Sequence, residues 1–163
     1  MAYPSYPYLA VYALNFIPEY CGAVYARSLL TLNEINDIPT NQEVISVSLT
    51  LFYAQDHEFK QKGSSGDVLV QRITSPWSSQ TVKRTQIAIT NINEAKIPAR
   101  LSRYEDRVKV DITKLVQDIR KEGQFNYGVQ LTLKIESPEK SMIFCSPSHP
   151  DINRRPKVSW TTI

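Results

Sequence analysis

The sequence predicts an all-β protein, an antiparallel β-sandwich of jelly-roll type with one short helix at about residues 112–122. Three observations predict it. Apolar and polar residues alternate in about nine short stretches, the period of two that turns one face of a strand toward a core. Gly, Pro, Asn and Ser clusters separate those stretches, and no strand–helix–strand rhythm recurs to indicate a parallel sheet. The one helical pattern, ITKLVQDIRKE, stands between two strand patterns. Short strands with long loops at the ends suit a jelly roll.

Taken in order, the chain opens with a Tyr/Pro-rich arm over residues 1–8, in which Pro4 and Pro7 keep the backbone extended. Leu9, Val11 and Ala13 then alternate with Ala10, Tyr12 and Leu14 as a first strand. Residues 15–22 read as loop. RSLLTL, residues 27–32, is a second strand with Leu30 and Leu32 on one side and Leu29 on the other. After a turn region at 34–42 comes the clearest alternation. Ile45, Val47, Leu49, Leu51 and Tyr53 share one face, and Val44, Ser46, Ser48, Thr50 and Phe52 the other.

Residues 54–66 are polar and end in GSSG, a loop lacking the Lys-Ser/Thr continuation of a phosphate cradle. Val68, Leu69, Val70 and Ile73 mark a strand over 67–74. ITSPWSSQTVKR, a short strand QIAIT and a polar excursion over 91–106 follow.

The stretch 108–135 organises the rest. Val108 and Val110 alternate with charged neighbours as a strand, and Asp111 and Thr113 are N-cap residue types. Leu115, Val116 and Ile119 give the helix one apolar face, and Gly123 stops it. Val129, Leu131, Leu133 and Ile135 alternate with Gln130, Thr132, Lys134 and Glu136, a strand with one buried face. Residues 142–145 form a short strand, 146–156 a proline-bounded loop, and 157–162 a closing strand with Val158 and Trp160 inward. The length fits a single domain over 1–163 without internal repeats.

The net charge of +3 comes from scattered residues. Lys83-Arg84 and Arg154-Arg155 are too small as basic groups to indicate a nucleic-acid partner. No apolar run reaches the length of a membrane span, and the N-terminus lacks the basic and apolar regions of a signal peptide. Such a chain stays in the cytoplasm unless a signal has been trimmed from it. Cys21 and Cys145 match no zinc spacing and read either as a bridge or as two small buried hydrophobes.

Three collinear stretches carry a family resemblance. They are SLLTLNEINDIP with the long strand after it, ITSPWSSQTV, and VKVDITKLVQDIRKEGQFNYGVQL followed by FCSPSHPDINRRPKVSW. In order and spacing they resemble the DNRLRE-type, or disaggregatase-related, modules grouped with carbohydrate-binding module family 96. The matching elements are residues 27–32, Ile38-Pro39, Trp77, residues 111–116, residues 126–128 and Arg155-Pro156. The resemblance implies a non-catalytic jelly-roll module of an extracellular or cell-surface protein, some relatives of which bind acidic polysaccharide.

Ligand candidates follow from chemistry. Tyr3, Tyr6, Tyr8 and Tyr12 combine an apolar ring with a hydroxyl, as sugar recognition requires; the alternative is an arm packed on its own sheet or on a neighbouring subunit. Trp77 is a stacking platform or a loop anchor. Arg100 and Arg103 can fork onto uronate carboxylates. Arg27, Asp111 and Arg155 read as structural polar anchors.

His57 and His149 have no matched carboxylates, so neither a metal site nor a catalytic triad is indicated, and no enzymatic activity or cofactor is expected. Asp56, Glu58 and Asp67 flank one loop and could hold calcium. The expectation is a carbohydrate-binding or surface-adhesion module for acidic polysaccharide. Its rival is a structural or interaction module of a fibre, virion appendage or surface scaffold, self-associating through the arm.

Overall fold

The computed structural model describes residues 6–14, 24–55, 64–78, 87–121, 125–137 and 139–163. Ten strands are found among them: β1 (Tyr8–Leu14), β2 (Val24–Ala26), β3 (Ser28–Leu30), β4 (Val44–Phe52), β5 (Val68–Ile73), β6 (Ile89–Ile97), β7 (Arg107–Asp111), β8 (Val129–Leu133), β9 (Lys140–Cys145) and β10 (Lys157–Thr162). One helix, α1 (Thr113–Lys121), links β7 to β8, and 3₁₀ turns occupy Asn33–Asp37 and Ile152–Arg154. The strands pair antiparallel in three sheets, ordered β2-β1-β9, β10-β4-β7 and β3-β8-β5-β6. A bridge between Tyr53 and Phe144 joins the end of β4 to β9. The buried sides of all three sheets share one core with the apolar face of α1, as expected of a β-sandwich.

Alternation accounts for most of that core. Leu9, Val11 and Ala13 of β1, Val47, Leu49 and Leu51 of β4, Leu131 and Leu133 of β8, and Leu115, Val116 and Ile119 of α1 are all buried. Four expectations change. The strand read over 27–32 is confined to β3, Ser28–Leu30, and Arg27 separates it from β2, which pairs in a different sheet. At the start of β4 it is Val44 that is buried, at 3% exposure, while Ile45 is 46% exposed. The β10 partner slips by one residue between Thr161 and Thr162, and this bulge turns the β4 alternation over.

Residues 91–97, expected to lie in a polar excursion, belong to β6. They pair only with β5, so an edge strand with mostly exposed, polar residues satisfies the ladder without an apolar face. Along β8 every residue is buried, Gln130 and Thr132 included, because the strand lies between β3 and β5. Ile135 lies beyond its end and is exposed.

The helix start is tied to the middle of β4. Val116 N–H donates to the Ile112 carbonyl, which makes Ile112 the first helical acceptor, and Asp111 precedes it. The Asp111 carboxylate accepts the Thr113 N–H at 2.9 Å and the Thr113 hydroxyl at 2.5 Å, while Thr113 Oγ1 accepts Val47 N–H at 2.9 Å. The Thr113 side-chain bond, then the backbone bond, hold the Asp111 carboxyl below the ordinary carboxylate range. Asp111→Ala should therefore cost about 1 kcal/mol at neutral pH, read by urea unfolding. A carboxyl depressed in the folded state stabilises above its unfolded value and stops doing so as pH falls through its folded value. The difference between the two proteins should thus shrink at acid pH. A difference that persists there would assign the loss to something other than the carboxylate.

Before β8, Asn126 Nδ2 donates to the Leu32 carbonyl at 2.7 Å, and its Oδ1 accepts Gly128 N–H at 3.0 Å. Gly128 has φ +82° and packs against the backbone of Leu30. The Asn-Tyr-Gly run is a clamp between β3 and β8.

Candidate basic face and the placement of the aromatic residues

The described tyrosines of the N-terminal stretch, Tyr6, Tyr8 and Tyr12, do not assemble into one platform. Tyr3 lies outside the described residues. Tyr6 is 59% exposed and meets Tyr8 edge-on at 5.8 Å, and Tyr8 in turn meets the buried His149 edge-on at 5.8 Å. The arm is held there because Ser146 Oγ donates to the Tyr6 carbonyl at 2.6 Å and Ser146 N–H to the Pro7 carbonyl at 2.8 Å. Tyr12, half-buried, lies four residues further along β1, opposite Ala26 and Ser141. That is about 13 Å from Tyr8 at the usual rise per residue.

Trp77 is half-buried, and its Nε1 donates to the Tyr127 carbonyl at 2.6 Å. It pins the segment after β5 to the entry of β8. Arg100 is engaged internally: its Nη2 donates to the carbonyls of Arg103 at 2.6 Å and Glu105 at 2.8 Å, and its guanidinium lies 4.6 Å above the Tyr53 ring. Burial, then Glu105, raise the Tyr53 phenol above its ordinary range against the opposing effect of Arg100. Arg100 is thus a strut inside its loop, with those donors turned away from a carboxylate ligand. Arg103 is exposed and stacks at 5.1 Å on Tyr104, which is 81% exposed.

The expected polar anchors have matching partners. Arg27 forks onto Glu136 at 2.5 and 3.3 Å, and Arg155 Nε donates to the His149 carbonyl at 2.8 Å. Asp67 accepts Ala99 N–H at 2.9 Å and has Lys96 at 3.8 Å. Asp56, His57 and Glu58 lie outside the described residues, and among the described ones no group of three His, Cys, Asp or Glu could hold a metal. Cys145 is buried, with Sγ 3.8 Å from the Tyr53 carbonyl, while Cys21 lies outside the described residues.

A groove of about 660 Å³ beside α1 is crossed by Arg120, which donates to the carbonyls of Ile38, Pro39 and Gln42. Glu43 is the one carboxylate among its described lining residues, and no histidine is there. Among its described lining residues nothing resembles an acid–base pair.

A different surface concentrates charge. On the outer face of the β10-β4-β7 sheet the register sets Lys109 and Lys157 on either side of Thr50, and Arg107 beside Phe52 one row along. Arg107, Arg154 and Lys157 lie 5.9, 5.6 and 5.3 Å from the Phe52 ring centre, so the ring is buried beneath cationic side chains. Arg154 has a partner, donating to Asp106 at 2.8 Å and to the Tyr53 carbonyl at 2.6 Å. Arg107, Lys109 and Lys157 are exposed, and none has a carboxylate at salt-bridge distance among the described residues.

The next row holds Asp111, Ser48 and Ser159, and beyond it Ser46 and Thr161 share a 2.7 Å hydroxyl bond. Sequence reasoning recognised the alternation that turns these cations outward. It read each strand alone, and only the register of three strands brings Arg107, Lys109 and Lys157 together. A scan against protein-family models returns no match to this chain, and a search of curated proteins finds no similar sequence.

Proposed function

We propose that the chain is a non-catalytic module that holds an acidic polysaccharide on the outer face of the β10-β4-β7 sheet. The observation that carries this reading is the gathering of Arg107, Lys109 and Lys157 around Thr50 and Phe52, with no carboxylate at salt-bridge distance among the described residues. Like charges on neighbouring strands of one face repel, by a few tenths of a kcal/mol for a pair about 10 Å apart in water. An anion laid among them relieves that repulsion and adds its own attraction. The hydroxyls of Thr50, Ser48 and Ser159 continue the face as donors and acceptors for sugar hydroxyls.

The likeness of the motifs to disaggregatase-related modules supports the same reading, and with it an extracellular or cell-surface setting. Among the described residues no helix is long and apolar enough to cross a membrane.

Affinity electrophoresis through gels cast with sulfated, phosphorylated, uronate and neutral polysaccharides tests the proposal. Retardation on an acidic gel, weakened by added salt and absent from the neutral glucan, is expected. No retardation on any acidic gel would overturn it and favour an interaction module without a sugar ligand.

A further inference from the structure

The basic face has a shape as well as a charge. Lys109 and Lys157 are directly opposite Thr50 on its two flanking strands. Directly opposed residues have Cβ atoms about 5 Å apart, so the two lysine stems rise about 10 Å from each other with the Thr50 hydroxyl between them. The lysine side chains are long enough to converge above that hydroxyl. Lys157 Nζ already leans toward the next row, 5.3 Å from the Phe52 centroid, and Arg107 approaches the same ring from the opposite strand. The register thus sets a lysine on either side of Thr50 and Arg107 one row along, all on one face and within side-chain reach of an anion laid over the Thr50 hydroxyl.

We infer that the acidic group seated there is a tetrahedral oxyanion ester, sulfate or phosphate, held by Lys109, Lys157, Arg107 and the Thr50 hydroxyl; this rests on the polysaccharide reading above. A planar carboxylate is matched best by one guanidinium fork in its own plane, whereas lysines act as point charges that meet oxygens in several directions. The neighbouring row adds a second reason. Asp111, opposite Ser48, lies about 7 Å along the strand from the Thr50 row. A polyuronate carries a carboxylate on every sugar, so its next charge along β4 would meet Asp111. A glycan bearing isolated ester groups meets hydroxyls there instead.

The test combines two measurements on the full chain. Amide shifts of ¹⁵N-labelled protein are followed during titration with inorganic sulfate, inorganic phosphate and acetate, and electrophoretic retardation is compared on κ-carrageenan, which carries one sulfate per disaccharide, on sparsely phosphorylated starch and on alginate. Sulfate or phosphate should move Thr50, Lys109 and Lys157 while acetate leaves them in place. The better of the two esters should retard the chain about tenfold more strongly than alginate, and their ranking separates the two sources. Combined Lys109→Ala and Lys157→Ala should remove both effects; the exposed control Lys134→Ala should remove neither. Equal retardation on alginate, or acetate shifts as large as those of sulfate, would overturn the inference and leave the polysaccharide reading intact. Retardation on none of the three gels would overturn that reading and the inference with it.

Discussion

Replacing Gly128 with alanine should leave little folded protein, with a loss of about 4 kcal/mol or more. Two independent costs combine. Gly128 has φ +82°, a left-handed conformation that side chains with a Cβ adopt only at about 1–3 kcal/mol. An added Cβ would also come far closer to the Leu30 carbonyl oxygen than van der Waals contact allows, and the atom it meets is backbone in a paired strand. Relief would require β3 and β8 to separate, taking with them the clamp from Asn126 to Leu32. Circular dichroism with urea unfolding reads the result. A variant within 1 kcal/mol of the parent would mean that this approach is not made in solution.

Leu131→Ala should cost about 2–5 kcal/mol. Leu131 is fully buried, at the centre of β8, opposite Ser28 on one side and Val70 on the other. Its neighbours belong to paired strands on both sides, so the space left by three missing carbons cannot collapse easily. Against a total stability of about 5–15 kcal/mol for a domain, this is a large fraction. Urea unfolding should show a lower midpoint with an unchanged slope. A loss below 1 kcal/mol would contradict the central position of β8.

What could be read from the chain follows from the range of the interactions involved. Alternation identified Val47, Leu49 and Leu51 because burial of one strand face is written within a single strand. It failed at Val44 and Ile45 because the bulge that reverses them is a property of the pair with β10. The edge strand β6 has no apolar face to announce it, and the complete burial of β8 depends on neighbours from elsewhere in the chain.

Function followed the same division. Tyr6, Trp77 and Arg100 are candidates by residue type alone, and Trp77 and Arg100 hold loops in place through Tyr127, Arg103 and Glu105. Arg107 and Lys157 come together only because β4 stands between β7 and β10. Individually they were ordinary outward-facing residues of two strands.

Affinity electrophoresis of two variants on the acidic polysaccharide that retards the parent tests the placement of function most directly. One combines Arg107→Ala, Lys109→Ala and Lys157→Ala; the other combines Tyr6→Ala and Arg103→Ala, both exposed and away from the core. The sheet variant should migrate as it does in a gel without polysaccharide, and the arm-and-loop variant should be retarded as the parent is. Undiminished retardation of the sheet variant, with loss in the other, would contradict the basic face and move the ligand to the arm and the loop.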